Sequence, residues 1–299
     1  MTDPQCVLVL GYGEMGHAMQ YLLQERHDVR IWNRHPVAGL QPVQLEEAAA
    51  QAAFVIYCVP VTPLAELVSR VGSHLSEHCI SLSVAKGLDA AGRPGPQILS
   101  SAYAGGRDFA VLYGPMIAEE IRSGRPAYAQ VGVSRTPVFA RVAALFAGSH
   151  LVLQYSDDLY GIAWASVLKN VYALLFGAAD AMALGDNARG YLAVVALEEL
   201  QAIVADRGGQ PETARQLAGL GDLVTTATSS GSHHYALGGQ LVQGVTGLQG
   251  EGIHTLAMLR AYGLIEESRY PLLALAQLLV KQPAAGKDAL CEFLQHPPH

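Results

Sequence analysis

The stretch Cys6–Glu25, CVLVLGYGEMGHAMQYLLQE, decides how the chain reads. A short apolar run, VLVL, passes directly into Gly11-Tyr-Gly13-Glu-Met-Gly16, after which apolar residues recur at helical spacing. A G-x-G-x-x-G turn between a strand and a helix has a physical purpose. The first glycine permits the tight turn, the second lets the backbone approach a pyrophosphate, and the third lets helix and strand pack closely. The phosphate then meets unpaired N–H groups and the positive end of the helix dipole. Gly11, Gly13, Glu14, Met15 and Gly16 are therefore candidate dinucleotide contacts, against the plainer reading of a structural glycine turn.

Outward from this turn the first half alternates. Apolar, strand-like runs at 5–11, 28–33, 54–60, 78–87 and 108–115 are separated by helical stretches such as LEEAAAQA and PLAELVSRVGSHL. That alternation predicts βαβ units and a parallel sheet covered on both faces. From about residue 157 strand signals stop, and helical periodicity runs through 159–183, 188–207, 212–219, 234–243, 251–262 and 270–281. The expectation is an α/β chain: a Rossmann-type, doubly wound domain over 1–156, then an all-helical substrate domain over 157–299. The tail from Gln282 reads as short and peripheral.

Composition narrows the function classes. The formal charge is −7 without a basic cluster, so neither nucleic acid nor an anionic membrane is an expected partner. An anionic substrate must then be held by a local site. Cys6, Cys58, Cys79 and Cys291 show no CxxC spacing, which fits buried thiols in a reducing compartment better than disulfides or a metal site. The opening MTDPQC lacks the features of a secretory signal, so a cytoplasmic location is expected. Residues 159–179 are apolar enough to pass for a membrane span. Their single charge, Lys169, stands mid-segment, where insertion would cost roughly 2.5–3.5 kcal/mol. A buried core helix fits better than membrane insertion.

Lysine is scarce: four in the chain, of which Lys281 and Lys287 fall in the polar C-terminal region. The others are Lys86, ending a strand in SLSVAKGL, and Lys169, inside ASVLKNVY. Strand C-terminal ends are where ligands bind in open α/β sheets. A desolvated lysine near another cation can exchange a proton near neutral pH. The plainer readings are a surface loop charge for Lys86 and a buried ion pair for Lys169. At the end of the second strand, Ile31-Trp-Asn-Arg34, the acid that usually accepts the ribose 2′-OH is missing. Arg34 suits a 2′-phosphate, which favours NADP(H) with NAD(H) as the alternative. Arg34 as a solvated charge, or stacked on adenine without discriminating, stays open.

The blocks GYGEMG, SVAKGL, YGPMIAEEIRSGRP, VLKNVYALLFGAADAMALGDNAR and LAGLGDLVTTAT resemble, in order and spacing, the bacterial NAD(P)-dependent glycerol-3-phosphate dehydrogenases. The resemblance implies interconversion of dihydroxyacetone phosphate and sn-glycerol 3-phosphate by a homodimer. It makes Lys169 the proton donor and acceptor, beside Asp222 and Thr226. It implies that Lys86 touches substrate and cofactor, that Gly114 lends backbone to the substrate, and that Ala118 and Glu251 are cofactor contacts. Asn187 and Arg189 match a block of less defined role. Independently, reducing a ketone builds negative charge on its oxygen, so the site needs a cation that also gives a proton.

The chain departs from the family in TTATSSGSHHYALG, residues 225–238. Where the family carries Ser-Arg-Asn to hold the substrate phosphate, this chain has Ser232, His233 and His234. Met116-Ile117 replace a small hydroxyl residue and phenylalanine, and a loop between His35 and Leu45 is shortened. Arginine forks onto phosphate, whereas histidine offers single donors and only partial charge at pH 7. An anion contact, a polar helix start and a metal site all remain readings of the histidine pair, the last without an obvious third ligand. The rival functions are a dehydrogenase of the same scaffold for another small ketone or hydroxy compound, and a non-catalytic NADP-binding sensor.

Overall fold

A computed structural model describes residues 3–104, 106–229 and 232–296. Two compact units divide the chain: one is residues up to Asp89 with Arg93–Ala163, the other is Ala90–Gly92 with the residues from Trp164 onward.

In the first unit β1 (Cys6–Leu10) lies between β2 (Asp28–Trp32) and β3 (Phe54–Tyr57), parallel to both. The parallel ladder continues through β4 (Ile80–Ser83) to β5 (Phe109–Tyr113). β1 and β3 to β5 are buried or nearly so, which is why they read as continuous apolar runs, whereas β2, at the sheet edge, is only part-buried. The expected all-parallel sheet needs correcting. Seven strands run in the order β2-β1-β3-β4-β5-β6-β7, and β6 (Ala127–Val133) pairs antiparallel with β5. The edge strand β7 (Leu151–Ser156) is parallel to β6. AYAQVGV and LVLQYS mix polar and apolar residues for different reasons: β6 is buried except around Tyr128 and Val133 and encloses Gln130, whereas the edge strand β7 exposes Val152, Gln154 and Tyr155. Helices α1 (Glu14–Leu23), α2 (Leu45–Gln51), α3 (Leu64–Gly72), α4 (Gly95–Ala102), α5 (Ala118–Arg122) and α6 (Thr136–Leu145) complete the unit.

The second unit is helical throughout its described residues. Its core is α7 (Leu159–Ala181), a helix long and apolar enough to cross a membrane but wholly buried here over its most apolar window. A helix apolar all round is covered all round. Around it run α8 (Gly185–Asp206), α9 (Asp222–Thr228), α10 (His233–Val242), α11 (Glu251–Ala261), α12 (Pro271–Lys281) and α13 (Pro283–Gln295). Two glycines set the spacing of α7 and α10. A Cβ on Gly177 would collide with the Tyr235 carbonyl, and one on Gly238 with the Leu174 carbonyl, so the backbones touch directly. The helix expected over 212–219 is instead a 3-10 turn, Pro211–Arg215, and a π turn, Leu217–Gly221, in which Gly219 packs on the Ala214 carbonyl. Nor is the tail merely peripheral: α13 buries Leu290 and seats Gly286 against the Leu279 backbone.

Glu199 ties three helices together. Its carboxylate, on α8, accepts from Tyr172 Oη of α7 at 2.8 Å and from the Leu272 and Leu273 N–H groups that open α12, at 2.5 and 2.9 Å. Burial pushes its pKa up, against those three donors, which pull it down. A carboxyl whose folded pKa is raised contributes stability that is present in acid and lost as pH rises through the folded value. Glu199→Ala should therefore cost at least ~2 kcal/mol, because it strands buried donors. The stability of the parent relative to Glu199→Gln should fall as pH rises from the unperturbed glutamate range upward. Urea denaturation of all three proteins across that window checks both; a constant gap between parent and Gln variant would contradict the second.

Candidate functional site

In the first unit the glycine turn is built as its sequence implies. Gly11 has φ +96°, and a Cβ there would lie 2.6 Å from the Cys58 carbonyl oxygen. A Cβ on Gly16 would collide with the Gly11 carbonyl, so the third glycine lets α1 pack onto its own turn. Gly13 differs: it is the N-cap of α1, its backbone is extended, and nothing lies within 4 Å of where its Cβ would be. That open space beside the free N–H groups of a helix start is the cradle a pyrophosphate needs. The turn is held by Gly11 N–H to the Trp32 carbonyl at 2.9 Å and Tyr12 N–H to Asn33 Oδ1 at 3.1 Å. Asn33 thus shapes the turn from the end of β2. Glu14, exposed in the first turn of α1, accepts from Arg122 Nη2 of α5 at 2.7 Å. Met15 packs half-buried against the core.

Past β2, Asn33, Arg34 and His35 line a cavity of about 190 Å³ together with Trp32, Val37 and Leu40. Arg34 is exposed, its Nη2 3.7 Å from Glu66 Oε2. At the C-terminal ends of β4 and β5, Lys86 Nζ donates to the Gly114 carbonyl at 3.4 Å, and Tyr113 Oη donates to the Ala85 carbonyl at 2.9 Å. Gly114 has φ +152°, and a Cβ would meet the Tyr128 carbonyl oxygen at 2.6 Å. Met116 and Ala118 lie in the apolar cluster of the sheet, each 8% exposed.

In the second unit Lys169 is 6% exposed at the middle of α7. Its Nζ donates to Asp222 Oδ1 at 3.1 Å and to Thr226 Oγ1 at 2.8 Å, and Thr226 in turn donates to the Asp222 carbonyl at 2.7 Å. The π turn ending at Gly221 delivers Asp222, itself 3% exposed, as the first residue of α9. Thr226 follows one turn later on the same face. Asn170, which the motifs do not single out, sits beside the lysine. Its Nδ2 donates to Glu251 Oε2 at 3.1 Å, and its Oδ1 is buried without a partner. The available signal was an asparagine next to a lysine in an apolar helix.

The histidine pair opens α10. Ser232 is the N-cap, its Oγ accepting from Tyr235 N–H at 3.3 Å. The hydroxyl run before it includes Ser230 and Gly231, which lie outside the described residues. His233 is exposed, with Nε2 3.3 Å from the Gln249 carbonyl. His234 turns inward, with Nε2 3.8 Å from Glu251 Oε2, and the two rings meet edge to face. Among the described residues no three His, Cys, Asp or Glu side chains group as metal ligands. Arg189 has a structural setting: it pairs bidentately with Asp180 of α7 at 2.8 Å and with Asp186 at 2.9 Å, while Tyr235 Oη of α10 donates to Asp180. Asn187 lies exposed in the same turn.

The class of chain is thus a dinucleotide-type α/β unit joined to a helical unit that buries a lysine–aspartate pair. Comparison with known proteins narrows it. Residues 38–137 match the family described as NAD-dependent glycerol-3-phosphate dehydrogenase N-terminus, and residues 158–282 match the corresponding C-terminus. A Synechococcus sp. (strain JA-3-3Ab) protein named glycerol-3-phosphate dehydrogenase [NAD(P)+] is 31% identical over 306 residues, covering 98% of this chain and 96% of the relative. One of the same name from Gloeobacter violaceus is 33% identical, covering 86% of each chain. A crystal structure of glycerol-3-phosphate dehydrogenase from Coxiella burnetii superposes with a TM-score of 0.86 at 23% identity, covering 98% of this chain and 99% of that one, which shows the shared fold. The chain belongs to the NAD-dependent glycerol-3-phosphate dehydrogenase family.

Gly13 and Gly16 offer a clean separation of fold from binding. Gly13→Ala should leave the thermal midpoint essentially unchanged while weakening binding of both NADPH and NADH, since its Cβ fills only the open cradle. Gly16→Ala should lower the midpoint itself, because its Cβ meets backbone. Thermal melts and nucleotide titrations of the two variants decide it; equal loss of stability in both would refute the distinction.

Proposed function

We propose that the chain interconverts dihydroxyacetone phosphate and sn-glycerol 3-phosphate as an NAD(P)H-dependent oxidoreductase. The observation that carries this is the buried Lys169–Asp222–Thr226 cluster in a chain of this family. A fully desolvated cation has a use where negative charge develops on a substrate oxygen, because in low dielectric it acts at close range and full strength. When bound, the nicotinamide supplies or accepts the hydride.

The protein's residues then do the rest. Lys169 Nζ gives its proton to the carbonyl oxygen in reduction and takes it back in oxidation. Asp222 holds the ammonium in place and balances its charge, while Thr226 accepts from a second donor direction at Nζ. Lys86 adds positive field and, with the Gly114 backbone and Met116, borders the substrate. Asn170 Oδ1 leaves a buried acceptor beside the lysine, suited to a substrate hydroxyl. Ser232, His233 and His234 hold the phosphate at the start of α10, where the helix N-terminus favours an anion. Gly11, Gly13, Glu14, Met15 and Gly16 border the pyrophosphate, Arg34 takes a 2′-phosphate, and Lys86, Ala118 and Glu251 contact the dinucleotide. NADP(H) is preferred and NAD(H) accepted. A nucleotide domain over 1–156, a substrate domain over 157–299, a cytoplasmic location and a homodimer complete the proposal.

Oxidation of NADPH and NADH should be followed with dihydroxyacetone phosphate beside a panel of other small ketones. Turnover confined to a different ketone would defeat the assignment. Lys169→Ala should lower kcat roughly 100- to 10,000-fold, the usual worth of a general acid, with nucleotide affinity retained. His233→Gln should act mainly on KM for the phosphorylated substrate. An unchanged KM there, with a glycerol-type substrate turned over equally well without its phosphate, would remove the histidines from the phosphate site.

A further inference from the structure

We propose that Glu66 sets how strongly the chain prefers a 2′-phosphorylated dinucleotide, by engaging the guanidinium of Arg34 that such a phosphate needs. The inference rests on the assignment of Arg34 to the 2′-phosphate made above and adds a residue from another element that tunes it.

Four charged side chains gather near the end of β2, drawn from the loop after it and from α2 and α3. Arg70 of α3 is committed within the protein: its Nε and Nη2 both donate to Glu46 Oε1, at 3.0 and 2.8 Å, and its guanidinium lies 5.6 Å from the centre of the Trp32 ring. Stacked and doubly bonded, it has little left to offer a ligand. Arg34 is held differently. Its contact is one long ion pair, 3.7 Å from Glu66 Oε2, between side chains that are 63% and 75% exposed. Arg34 lines the cavity formed within residues 31–43, whose Asn33 also accepts from Tyr12 N–H of the glycine turn, whereas Glu66 is not among the lining residues. The cation therefore faces a ligand site while a carboxylate from α3 competes for it.

The competition discriminates between cofactors. A ribose hydroxyl is neutral and gains little from Arg34, so the pair persists when NADH binds. A 2′-phosphate is an anion, and it must share the guanidinium with Glu66 while also meeting that carboxylate's charge. The acid absent from the end of β2 is thus present in space on the neighbouring helix, opposing the phosphate instead of forbidding it. An exposed pair of this kind has a small energetic worth, so the expected effect is roughly 2- to 5-fold in affinity. Because both groups are solvated, the effect should shrink in high salt.

Dissociation constants for NADPH and NADH are measured by nucleotide fluorescence on the full chain without substrate, for the parent, Glu66→Gln, Glu66→Ala, Arg34→Gln and the Arg34→Gln/Glu66→Gln pair. The expected result is tighter NADPH binding in both Glu66 variants, roughly 2- to 5-fold, with NADH unchanged. The gain should diminish at 0.5 M salt (an order-of-magnitude screening condition, about 4 Å Debye length) and shrink on the Arg34→Gln background. An unmoved ratio of the two constants, or equal tightening for both cofactors, overturns the role of Glu66 while leaving the enzyme assignment intact. Failure of the parent to bind either nucleotide removes the proposed function and this inference together.

Discussion

A lysine at the middle of a mostly apolar helix, inside its wholly buried window, must be answered by an opposite charge. An unpaired buried ammonium is far too costly to keep, and removing one partner of a buried pair typically costs about 3–5 kcal/mol. Asp222 is that answer, and the local structure around it follows from delivering it. The chain after Arg215 cannot continue as a regular helix and still place Asp222 against Lys169. It widens into a π turn, uses Gly219 to lie on the Ala214 carbonyl, and begins α9 at Asp222 itself. Short π segments of this kind often mark functional positions. Thr226, one turn on, occupies a second donor direction of the ammonium.

The same helix organises the remainder of its unit through its few polar residues, each directed to a different neighbour. Asn170 reaches Glu251 at the start of α11, Tyr172 reaches Glu199 on α8, and Asp180 receives Arg189 of α8 and Tyr235 of α10. Where no side chain intervenes, glycine does: Gly177, Gly238 and Gly252 each bring a backbone against α7 or its partner. Directional polar contacts of this kind specify one arrangement more sharply than apolar packing alone. The start of α10, with Ser232 and the two histidines, is placed by the Gly177–Gly238 contact and the Tyr235–Asp180 bond together.

How legible this was in the sequence depends on whether a residue's constraint is local. The glycine turn, strands β1 to β5 and the core helix over the apolar segment 159–179 are local or compositional, and they read directly. β6 and β7 did not: Tyr128, a buried Gln130 and Gly132 interrupt the apolar run of β6, and β7 is an edge strand that is largely exposed. The π turn at Leu217–Gly221 is helical in composition, and only tertiary contact makes it irregular. In the candidate site, Lys169 was visible by its isolation. Its pairing with Asp222 was visible only through resemblance, since 53 residues separate them. Glu199 and Arg122 carry no sequence signal at all: an acid on a long helix and an arginine on a short one look like surface charges until their partners are known.

Basic side chains near the proposed anion sites share a pattern. Arg122 beside the glycine turn is paired with Glu14, Arg34 beside the β2 cavity with Glu66, and His234 at the start of α10 lies near Glu251. Each of these basic side chains thus has a carboxylate from another element close by. With a net charge of −7 the chain has no overall field to gather anionic ligands, so capture depends on these local groups. An unopposed arginine cluster would bind a dinucleotide and a sugar phosphate more tightly, but ground-state affinity that is equal in the transition state does nothing for kcat and slows release. In the proposed function, carboxylates placed beside the anion-facing basic groups lower that uniform affinity without touching the buried Lys169–Asp222 pair. On that reading the buried and the exposed pairs serve opposite ends: burial concentrates charge where bonds would change, and exposure tempers it where ligands must leave.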